Sequence, residues 1–264
     1  MLYSSEHTSW MHSVNPAMKL GAMILGMAVI LFIHNVNVLL VLTGLLTGLL
    51  FLTSGHPANR VALFLLPFLF VFISTGMSMV LFGQGDTLWW QWGPVNISRE
   101  SFFRGLHVAL RALCFGMMGL LFALTTRPVL LFYSLMQQLK LPPRYAYGFM
   151  ASLRLLPLIL QEFKTLRRAY KVRGVQFRSN GRGLVQRMKM YAIPLLAQSI
   201  RRAQRIAVSM EARQFNRQGD RTYYYQTGFS GMDALMLFSW IGIFTIAWWI
   251  GWHFPFVEIT DVRF

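Results

Sequence analysis

The sequence predicts an all-α polytopic membrane protein, with about five transmembrane helices and a cytoplasmic arm of amphipathic helices. Three observations predict this fold class. The 264-residue chain is 55% hydrophobic and only 13% charged, whereas soluble domains carry about a quarter charged residues. It contains five long apolar runs. Its formal net charge of +16 is concentrated in one stretch, which separates the last apolar run from the first four.

The apolar runs have the composition of helices rather than strands. They are rich in Leu, Phe, Met and Gly and lack the alternation of a half-buried strand. In lipid, a helix satisfies all of its own backbone hydrogen bonds. The predicted spans are residues 19–34, 38–53, 61–82, 102–125 and 232–252. The first two are shorter than the roughly 20 residues that cross a bilayer, so they include flanking residues or lie in a thinner region.

The basic block, residues 127–221, contains nineteen Lys and Arg and three acidic residues, so it carries the net charge of the whole chain. Because Lys and Arg are retained on the cytoplasmic side of a membrane, we expect the block inside. Alternating spans then put the N-terminus and residues 55–60 inside, and residues 35–37, residues 83–101 and the C-terminus outside. The predicted organisation is residues 1–126 as N-terminal spans, 127–221 as the cytoplasmic arm and 222–264 as the C-terminal span.

Two amphipathic helices are predicted within the basic block. Apolar residues recur along each of them with helical spacing, which predicts faces that pack against another helix. The first face is Ile159, Phe163, Leu166 and Tyr170, and the second is Leu196, Ile200, Ala203, Ala207 and Met210. Pro157 and Pro194 are predicted near the helix starts, where a missing N–H costs least. The Gly- and Asn-rich residues 175–187 are predicted as the turn between the helices.

Few side chains in the sequence could perform chemistry. There is no GxxxxGK phosphate loop, no HExxH and no Cys/His cluster, and the six histidines are scattered. The single cysteine, Cys114, lies in an apolar run, so no intrachain disulfide is possible. Nine carboxylates provide no evident pair for general acid–base catalysis. The sequence therefore predicts a protein that is not an enzyme and holds no metal and no cofactor.

Two features of the spans are candidate contact sites. Arg104, His107 and Arg111 share one face of the fourth span, and charge within a span is costly and often functional. Arg111 lies deepest, so it forms either a structural pair or a contact to a partner. Gly44 and Gly48 form a GxxxG in the second span, which permits close approach of another helix.

The charge of the basic helices has three interpretations. It keeps the block inside, it binds the phosphates of anionic lipid or RNA, or it docks a protein. At the predicted helix ends, Arg173 and Arg213 complement the helix dipole and offer a planar donor fork. Gly174 and Ala212 are small enough to let a partner's backbone approach. The ordered apolar faces favour docking slightly over the other two.

Several stretches resemble the transmembrane coupling (T) subunit of energy-coupling factor transporters, the vitamin and metal importers of prokaryotes. Residues 9–20 (SWMHSVNPAMKL) are similar to the N-terminal motif of that family. Residues 122–157 are similar to the stretch that leads into its cytoplasmic arm. The tripeptides Val172-Arg173-Gly174 and Ala212-Arg213-Gln214 resemble its two Ala-Arg-Gly motifs. Each departs from the motif at one position, at Val172 and at Gln214, and keeps the arginine.

The resemblance implies that each tripeptide docks on one of two ATP-binding-cassette subunits, identical or different, which hydrolyse the ATP. A separate S subunit in the membrane would bind the substrate and grip this chain. Arg111, Gly44 and Gly48 are candidates for that contact or for contacts within the membrane. The implied location is the prokaryotic cell membrane, with the lipid bilayer but no nucleic acid as a partner. The loop 83–101 and the wording TTRP…LMQQLKLPP are similar to subunits associated with thiamine or its hydroxymethylpyrimidine precursor.

One hypothesis from a different class remains beside this one. The chain would be a membrane-anchored basic protein that docks ribosomes, RNA or anionic lipid through the basic block. That hypothesis predicts salt-dependent binding spread over many Lys and Arg, with no special role for Arg173 and Arg213. An intramembrane enzyme ranks third, because the spans lack paired acids, a nucleophile–base set and metal ligands.

Overall fold

The computed structural model describes residues 9–83, 88–92, 95–175, 181–215 and 222–257. The chain divides into two compact units. The membrane unit comprises Met1–Lys140 and Thr227–Phe264, and the arm unit comprises Leu141–Gln226. The arm unit is therefore an insertion in the sequence of the membrane unit.

The described residues form eight α-helices, preceded by a short 3₁₀ helix, Trp10–Ser13. The α-helices are α1 (Pro16–Phe32), α2 (Val36–Thr53), α3 (Ala58–Phe82), α4 (Arg99–Thr125), α5 (Pro128–Gln138), α6 (Pro143–Val172), α7 (Gly181–Ala212) and α8 (Gly231–His253). Each of the five predicted apolar runs forms one helix, namely α1 to α4 and α8. The all-α polytopic fold class is thereby confirmed.

Four helices in the described part of the chain are long and apolar enough to cross a membrane: α2, α3, α4 and α8. The fifth apolar helix, α1, has 17 residues and is therefore about 26 Å long at a rise of 1.5 Å per residue. That length is slightly less than the roughly 30 Å of a bilayer's hydrocarbon core. The chain is a multi-pass membrane protein in which α1 is the shortest of the apolar helices.

A two-stranded antiparallel hairpin lies within residues 83–101, where the sequence predicts only a loop. Its strands are β1 (Leu88–Trp92) and β2 (Val95–Ser98), and Trp92 pairs with Val95. Aromatic and β-branched residues favour extended backbone, and both strands are rich in them. Strand β2 leads directly into α4, and the Ser98 side chain accepts a hydrogen bond from the Ser101 N–H (3.3 Å).

The core of the membrane unit lies between α2, α4 and α8. Four leucines recur at spacings of three and four residues along α2 and are at most 2% exposed: Leu39, Leu42, Leu46 and Leu50. Helix α2 packs against α4 and α8, and α3 packs against α4. These helices are apolar on all sides. One face of each packs in the core, and the remaining apolar faces are available to lipid.

Helices α2 and α8 approach each other most closely at Gly251. A Cβ added at this position would lie 2.6 Å from both the Cα and the N atom of Val38. At the adjacent position on α2, the buried Asn37 side chain exchanges two hydrogen bonds with the backbone of Val257 (2.9 and 3.1 Å). The glycine and the amide together hold the end of α8 against the start of α2.

We expect Gly251→Ala to lower the free energy of unfolding by about 2–3 kcal/mol, because backbone atoms would have to move. The matched control is Gly242→Ala on the same helix, where a Cβ meets no atom within 4 Å. The control should be neutral or slightly stabilising, because Ala favours helix by about 1 kcal/mol over Gly. Thermal unfolding in mild detergent measures both variants. Equal midpoints would contradict the close approach.

Asn15 and Asp233 join the starts of α1 and α8. Asp233 is 4% exposed, and its carboxylate accepts hydrogen bonds from the N–H groups of Asn15 (2.7 Å) and Ser230 (2.8 Å). The Asn15 side chain caps α1 by accepting from the Ala17 N–H (3.1 Å) and donates to the carbonyl of Gly228 (3.2 Å). Both polar side chains are therefore buried with their hydrogen bonds satisfied, as burial requires.

Lys19 joins the same end of α1 to the end of α4. The residue is 4% exposed, and its ammonium donates to the Met11 carbonyl (2.7 Å) and to the carbonyl and hydroxyl of Thr125 (3.1 and 3.2 Å). Thr125 is the last residue of α4, where carbonyls lack intrahelical partners and a cation is favoured. Burial, followed by the positive charge of Lys19, lowers the pKa of His12, which accepts from the Ser9 N–H through Nδ1 (3.2 Å).

Candidate functional site

The arm unit contains α6 and α7 as an antiparallel pair. Tyr147, near the start of α6, makes an edge contact with Phe215, just beyond α7, at 5.4 Å between ring centroids. Near the other end of α6, Tyr170 makes an edge contact with Tyr191 in the first third of α7, at 5.5 Å. The start of α6 therefore contacts the end of α7, and the end of α6 contacts the first part of α7, as in an antiparallel pair.

Polar groups connect the middle of this pair. Glu162 on α6 forms an ion pair with Arg202 and accepts a hydrogen bond from the Gln198 amide (3.1 Å) on α7. Arg202 and Glu162 are 23% and 19% exposed, so water screens the pair incompletely. Such a partly buried charge pair fixes the register of two helices more than it stabilises them.

The predicted helix starts in the basic block were wrong. Helix α6 begins at Pro143 and α7 at Gly181, so Pro157 and Pro194 each lie inside a long helix. Half of the predicted turn, residues 181–187, is helical, while residues 176–180 lie outside the described residues. A proline inside a helix removes one backbone hydrogen bond and bends the helix without ending it when neighbouring groups compensate.

The predicted apolar face of α6 does contact α7, through the rings of Phe163 and Tyr170 on Tyr191. The predicted apolar face of α7 does not pack against α6. Leu196 and Ile200 are 62% and 58% exposed, and Ala203 and Ala207 are exposed as well. The opposite side of α7 meets α6 instead, because the Glu162 ion pair and the tyrosine rings select that side.

Helix α6 ends in a Schellman motif at the first predicted tripeptide. Gly174 has a φ of +67°, and its N–H bonds the Lys171 carbonyl (3.2 Å). The Val175 N–H bonds the carbonyl of Tyr170 (3.1 Å). This left-handed turn satisfies the last carbonyls of the helix. Arg173 is the C-cap residue and is exposed, and Val172 beside it is 88% exposed.

Helix α7 ends in the same motif at the second tripeptide. Gln214 has a φ of +56°, its N–H bonds the Glu211 carbonyl (2.9 Å), and the Phe215 N–H bonds the Met210 carbonyl (2.9 Å). Arg213 stands at the C-cap, and Arg213, Ala212 and Gln214 are all exposed. The two tripeptides therefore occupy equivalent positions in two equivalent helix ends. We call these ends the arginine tips, comprising residues 172–174 and 212–214.

The side chains of both tip arginines are exposed. Among the described residues, neither guanidinium has a hydrogen-bond or ion-pair partner. Arg213 also lines an open groove on α7 together with Arg202, Arg205, Ile206, Ser209 and Met210. A guanidinium beside apolar side chains binds carboxylates and carbonyls with a planar donor fork.

The tips lie at opposite ends of the helix pair. Tyr147 and Tyr170 mark the two contact levels and are separated by 23 helical residues of α6, or about 35 Å. Arg173 follows Tyr170 closely, and Arg213 precedes Phe215, the partner of Tyr147, by two residues. The backbones of the two tips are therefore about 35–40 Å apart along the pair.

We expect exchanges at the left-handed position of each tip to have opposite effects on helix-end stability. Gln214→Gly should stabilise the arm unit by about 0.5–1 kcal/mol, because glycine adopts a positive φ without steric cost. Gly174→Gln should destabilise it by about 1 kcal/mol for the same reason. Hydrogen exchange of the amides in the last turn of each helix measures both. Like-signed effects would show that positive φ does not limit these ends.

Arg111 has partners within the chain. Its guanidinium donates to the carbonyls of Ile33 (2.9 Å) and Leu31 (3.3 Å) at the end of α1. His107 Nε2 also lies 3.1 Å from the Ile33 oxygen, and 3.4 Å from the Arg111 guanidinium. A cation at the C-terminus of a helix complements the dipole and satisfies free carbonyls. These contacts account for a charged side chain at this depth.

Gly44 and Gly48 have no close neighbour. Both are exposed on α2, and a Cβ at either position would meet no atom within 4 Å. This chain therefore does not use the GxxxG for its own packing, and the face remains open to lipid or to a partner helix.

The two segments of the membrane unit that flank the arm unit in the sequence are hydrogen-bonded to each other. The chain passes into the arm unit after Lys140 and returns at Thr227. The Gln137 side-chain oxygen accepts from the Thr227 N–H (2.9 Å) and hydroxyl (3.0 Å), and the Gln138 amide donates to the Thr227 carbonyl (3.4 Å). The outgoing and returning segments are thus bonded to each other.

In the described ranges, no three His, Cys, Asp or Glu side chains lie close enough together to hold a metal ion.

The fold and the tips define a class of protein: a multi-pass membrane subunit with a basic helical arm that presents two equivalent arginines. Comparison with known proteins agrees. The family described as cobalt transport protein (CbiQ) matches residues 7–224. The chain belongs to this family, whose relatives named below are transmembrane (T) components of energy-coupling factor transporters.

Three relatives illustrate the similarity, each described as energy-coupling factor transporter transmembrane protein EcfT. That of Limosilactobacillus fermentum is 30% identical over 237 residues, 87% of this chain and 88% of the relative. That of Streptococcus equi is 30% identical over 252 residues, with coverage of 89% and 91%. That of Bacillus subtilis is 26% identical over 242 residues, with the same coverage of 89% and 91%.

Proposed function

We propose that this chain is the scaffold through which two ATP-binding-cassette ATPases drive a substrate-binding S subunit, in an importer for a vitamin or another micronutrient. The observation that carries the proposal is the pair of identical Schellman ends, each presenting an exposed arginine. In this role the chain hydrolyses nothing, and the ATPases supply the energy. The S subunit supplies the substrate specificity.

Each tip is suited to bind an acidic and partly apolar pocket on an ATPase, which we call a socket. Arg173 and Arg213 would donate to carboxylates or carbonyls of the ATPases. At the first tip, Val172 would enter an apolar part of the socket, since it is 88% exposed here and large apolar side chains gain from burial. At the second tip, Ala212 and Gln214 would occupy the equivalent positions. The neighbouring groove that Arg205 lines would extend the contact with the acidic socket.

The separation of the tips sets a geometric requirement for the ATPases. Two sockets must lie about 35–40 Å apart to hold both tips of one rigid pair. If ATP binding closes the two ATPases, the sockets approach each other and the arm unit must shear or turn. That movement is the signal that the scaffold would pass to the S subunit.

Two apolar faces are candidates for contact with the S subunit. On α7 the exposed face contains Leu196 and Ile200 and carries no charge from Leu196 to Ala207 along that side. On α2 the open Gly44–Gly48 face would admit a partner helix at short range, where small residues allow backbones to touch. An S subunit is itself apolar, so both faces offer it a matching surface. Arg111 would act indirectly, by fixing the end of α1.

The orientation in the prokaryotic cell membrane follows from charge. The arm unit and the N-terminus would be cytoplasmic, because the basic block holds the net charge of the chain. Exposed tryptophans at the far end of α8, Trp248, Trp249 and Trp252, suit the opposite membrane surface, where aromatic side chains gather. Cytoplasmic arginine tips would face the compartment that contains ATP.

For the substrate, the resemblance of residues 125–143 and of loop 83–101 makes thiamine and its hydroxymethylpyrimidine precursor the first ligands to test. The ligand would bind to the S subunit, which should co-purify with this chain. Binding of either ligand to the purified complex supports the assignment. Retention of another micronutrient by the same complex would replace it.

Purification in mild detergent, followed by mass spectrometry of the associated proteins, tests the proposal. Two ATP-binding-cassette subunits and a small apolar membrane protein should co-purify with the wild-type chain. The control reverses two exposed arginines away from the tips, Arg154→Glu and Arg201→Glu, and should retain these partners. If ribosomes or anionic lipids dominate instead, and the control loses them in a salt-dependent manner, the chain is a phosphate-binding anchor. That outcome would reject the coupling role.

A further inference from the structure

Pro194 leaves one carbonyl of α7 without its usual donor. In an α-helix the carbonyl of residue i−4 accepts from the N–H of residue i, and proline has no N–H. Pro194 lies in the interior of α7, so the carbonyl of Met190 loses its partner. An unpaired backbone carbonyl in a helix is costly unless a side chain, water or neighbouring element satisfies it.

Tyr170 on α6 supplies the missing donor. Its hydroxyl donates to the Met190 carbonyl at 3.0 Å, and its ring packs edge-on against Tyr191 at 5.5 Å between centroids. The hydrogen bond therefore joins the two helices at the point where proline opens α7. Tyr170 is itself part-buried in this contact.

The same residue belongs to the first arginine tip. The carbonyl of Tyr170 accepts the Val175 N–H (3.1 Å) in the Schellman motif that orients Arg173. Its backbone thus closes the end of α6 while its side chain holds the interrupted segment of α7. From Pro194, α7 continues for 18 residues to Ala212 at the second tip. A small change in bend at Pro194 is amplified over about 27 Å of helix.

We infer that Tyr170 is a positioning residue that sets the bend of α7 at Pro194 and thereby the distance between the two arginine tips. The consequence for transport rests on the proposed function, whereas the effect on distance does not. With the hydroxyl in place, α6 and α7 move as one body, so displacement of one tip displaces the other. Without it, α7 bends at Pro194 and the tips move separately.

The distance between spin labels tests this inference in the full-length chain. One label is placed at Lys171→Cys on α6 and the other at Gln204→Cys on α7, on the C-terminal side of Pro194. Both positions are exposed in the wild type. The chain carries Cys114→Ala so that only the introduced cysteines are labelled. Tyr170→Phe keeps the ring and removes only the hydroxyl. The population with an altered distance should rise about fivefold, as expected for loss of one net hydrogen bond. Tyr224→Phe, which removes the hydroxyl of a 90% exposed tyrosine, should leave the distribution unchanged.

A second substitution separates the proposed bond from simple packing. Pro194→Ala restores an N–H that bonds the Met190 carbonyl within the helix. In that background, Tyr170→Phe should no longer broaden the distance distribution. If Tyr170→Phe has no effect in the wild-type background, or an equal effect in both backgrounds, the inference is wrong.

Transport provides the readout that a purely structural role would not move. In the reconstituted complex, Tyr170→Phe should retain both ATPases and their hydrolysis but lower the substrate imported per ATP. Pro194→Ala should restore this ratio together with the narrow distance distribution, because an uninterrupted α7 no longer bends at residue 194. An unchanged ratio with altered distances would overturn the link from tip spacing to transport. Failure of the wild-type chain to bind ATPases would instead reject the proposed function, while the distance measurements would still decide the role of Tyr170.

Discussion

Reversal of both tip arginines, Arg173→Glu together with Arg213→Glu, is expected to abolish ATPase binding and uptake while leaving the membrane fold intact. Each exposed guanidinium would lose a charge-assisted contact that contributes about 1.5–3 kcal/mol, and the new carboxylate would repel an acidic socket. Two such losses amount to more than about a hundredfold in affinity. Uptake by cells that carry the variant complex measures the effect directly.

The folded state should tolerate this variant, because main-chain atoms of other residues close both Schellman motifs. The Val175 and Phe215 N–H groups bond carbonyls of Tyr170 and Met210, and none of these bonds involves an arginine side chain. A carboxylate at a helix C-terminus costs only about 0.3–1 kcal/mol at an exposed position. Melting temperatures within a few degrees of wild type should accompany the loss of uptake.

Arg154→Glu with Arg201→Glu provides the matched control for this experiment. It removes the same charge from the same two helices at exposed positions away from their ends. Uptake should persist in the control, since docking depends on the tips rather than on the total charge. Equal losses in the two double variants would mean that diffuse charge, and not the tip geometry, carries the interaction.

The sequence was sufficient to predict features that depend on composition and on local backbone rules. Long apolar runs must be helices in lipid, and each of the five is one. The paired tripeptides were also recognisable, because glycine at residue 174 already suggests a helix C-terminus. That Gln214 adopts the same left-handed conformation as Gly174 was not predictable from its own preferences, since the equivalent hydrogen bonds impose it.

Features that depend on which surfaces meet were not predictable from one sequence. The apolar residues of α7 suit burial, yet Leu196 and Ile200 are exposed because the Glu162–Arg202 ion pair and the tyrosine rings turn another side of α7 toward α6. The usual preference of proline for the first turn predicts Pro194 near a helix start, whereas it lies inside α7. The compensating hydroxyl of Tyr170 lies 24 positions away and belongs to another helix.

Charges within the spans illustrate the same distinction. The sequence marks Arg111 as costly, but only the structure identifies the carbonyls of Ile33 and Leu31 as its partners. Lys19 lies at the edge of the first predicted span, where its position alone indicates no role, although the preceding Asn15-Pro16 marks a helix start. Its partner, Thr125, lies 106 residues away. Such long-range pairs join the ends of α1 and α4 within the membrane unit.

Substitution of this lysine, Lys19→Met, is expected to lower the free energy of unfolding by about 2–4 kcal/mol. Methionine has a similar length and restores apolar contact, but it leaves the carbonyls of Met11 and Thr125 buried without a donor, at about 1–3 kcal/mol each. The C-terminus of α4 would also lose the cation that complements its dipole. Unfolding in mild detergent, monitored by the circular dichroism signal of the helices, measures the change.

The exposed Lys140 provides the control, because Lys140→Met removes the same charge from the membrane unit at an exposed position. Its φ of +52° is equally unfavourable for lysine and methionine, so the backbone contributes no difference and stability should change by less than about 0.5 kcal/mol. A Lys19→Met chain that cannot be purified as a single species agrees with the expected loss. If Lys19→Met is as stable as Lys140→Met, the three hydrogen bonds of Lys19 do not hold α1 to α4, and the ends of these helices are fixed by apolar packing alone.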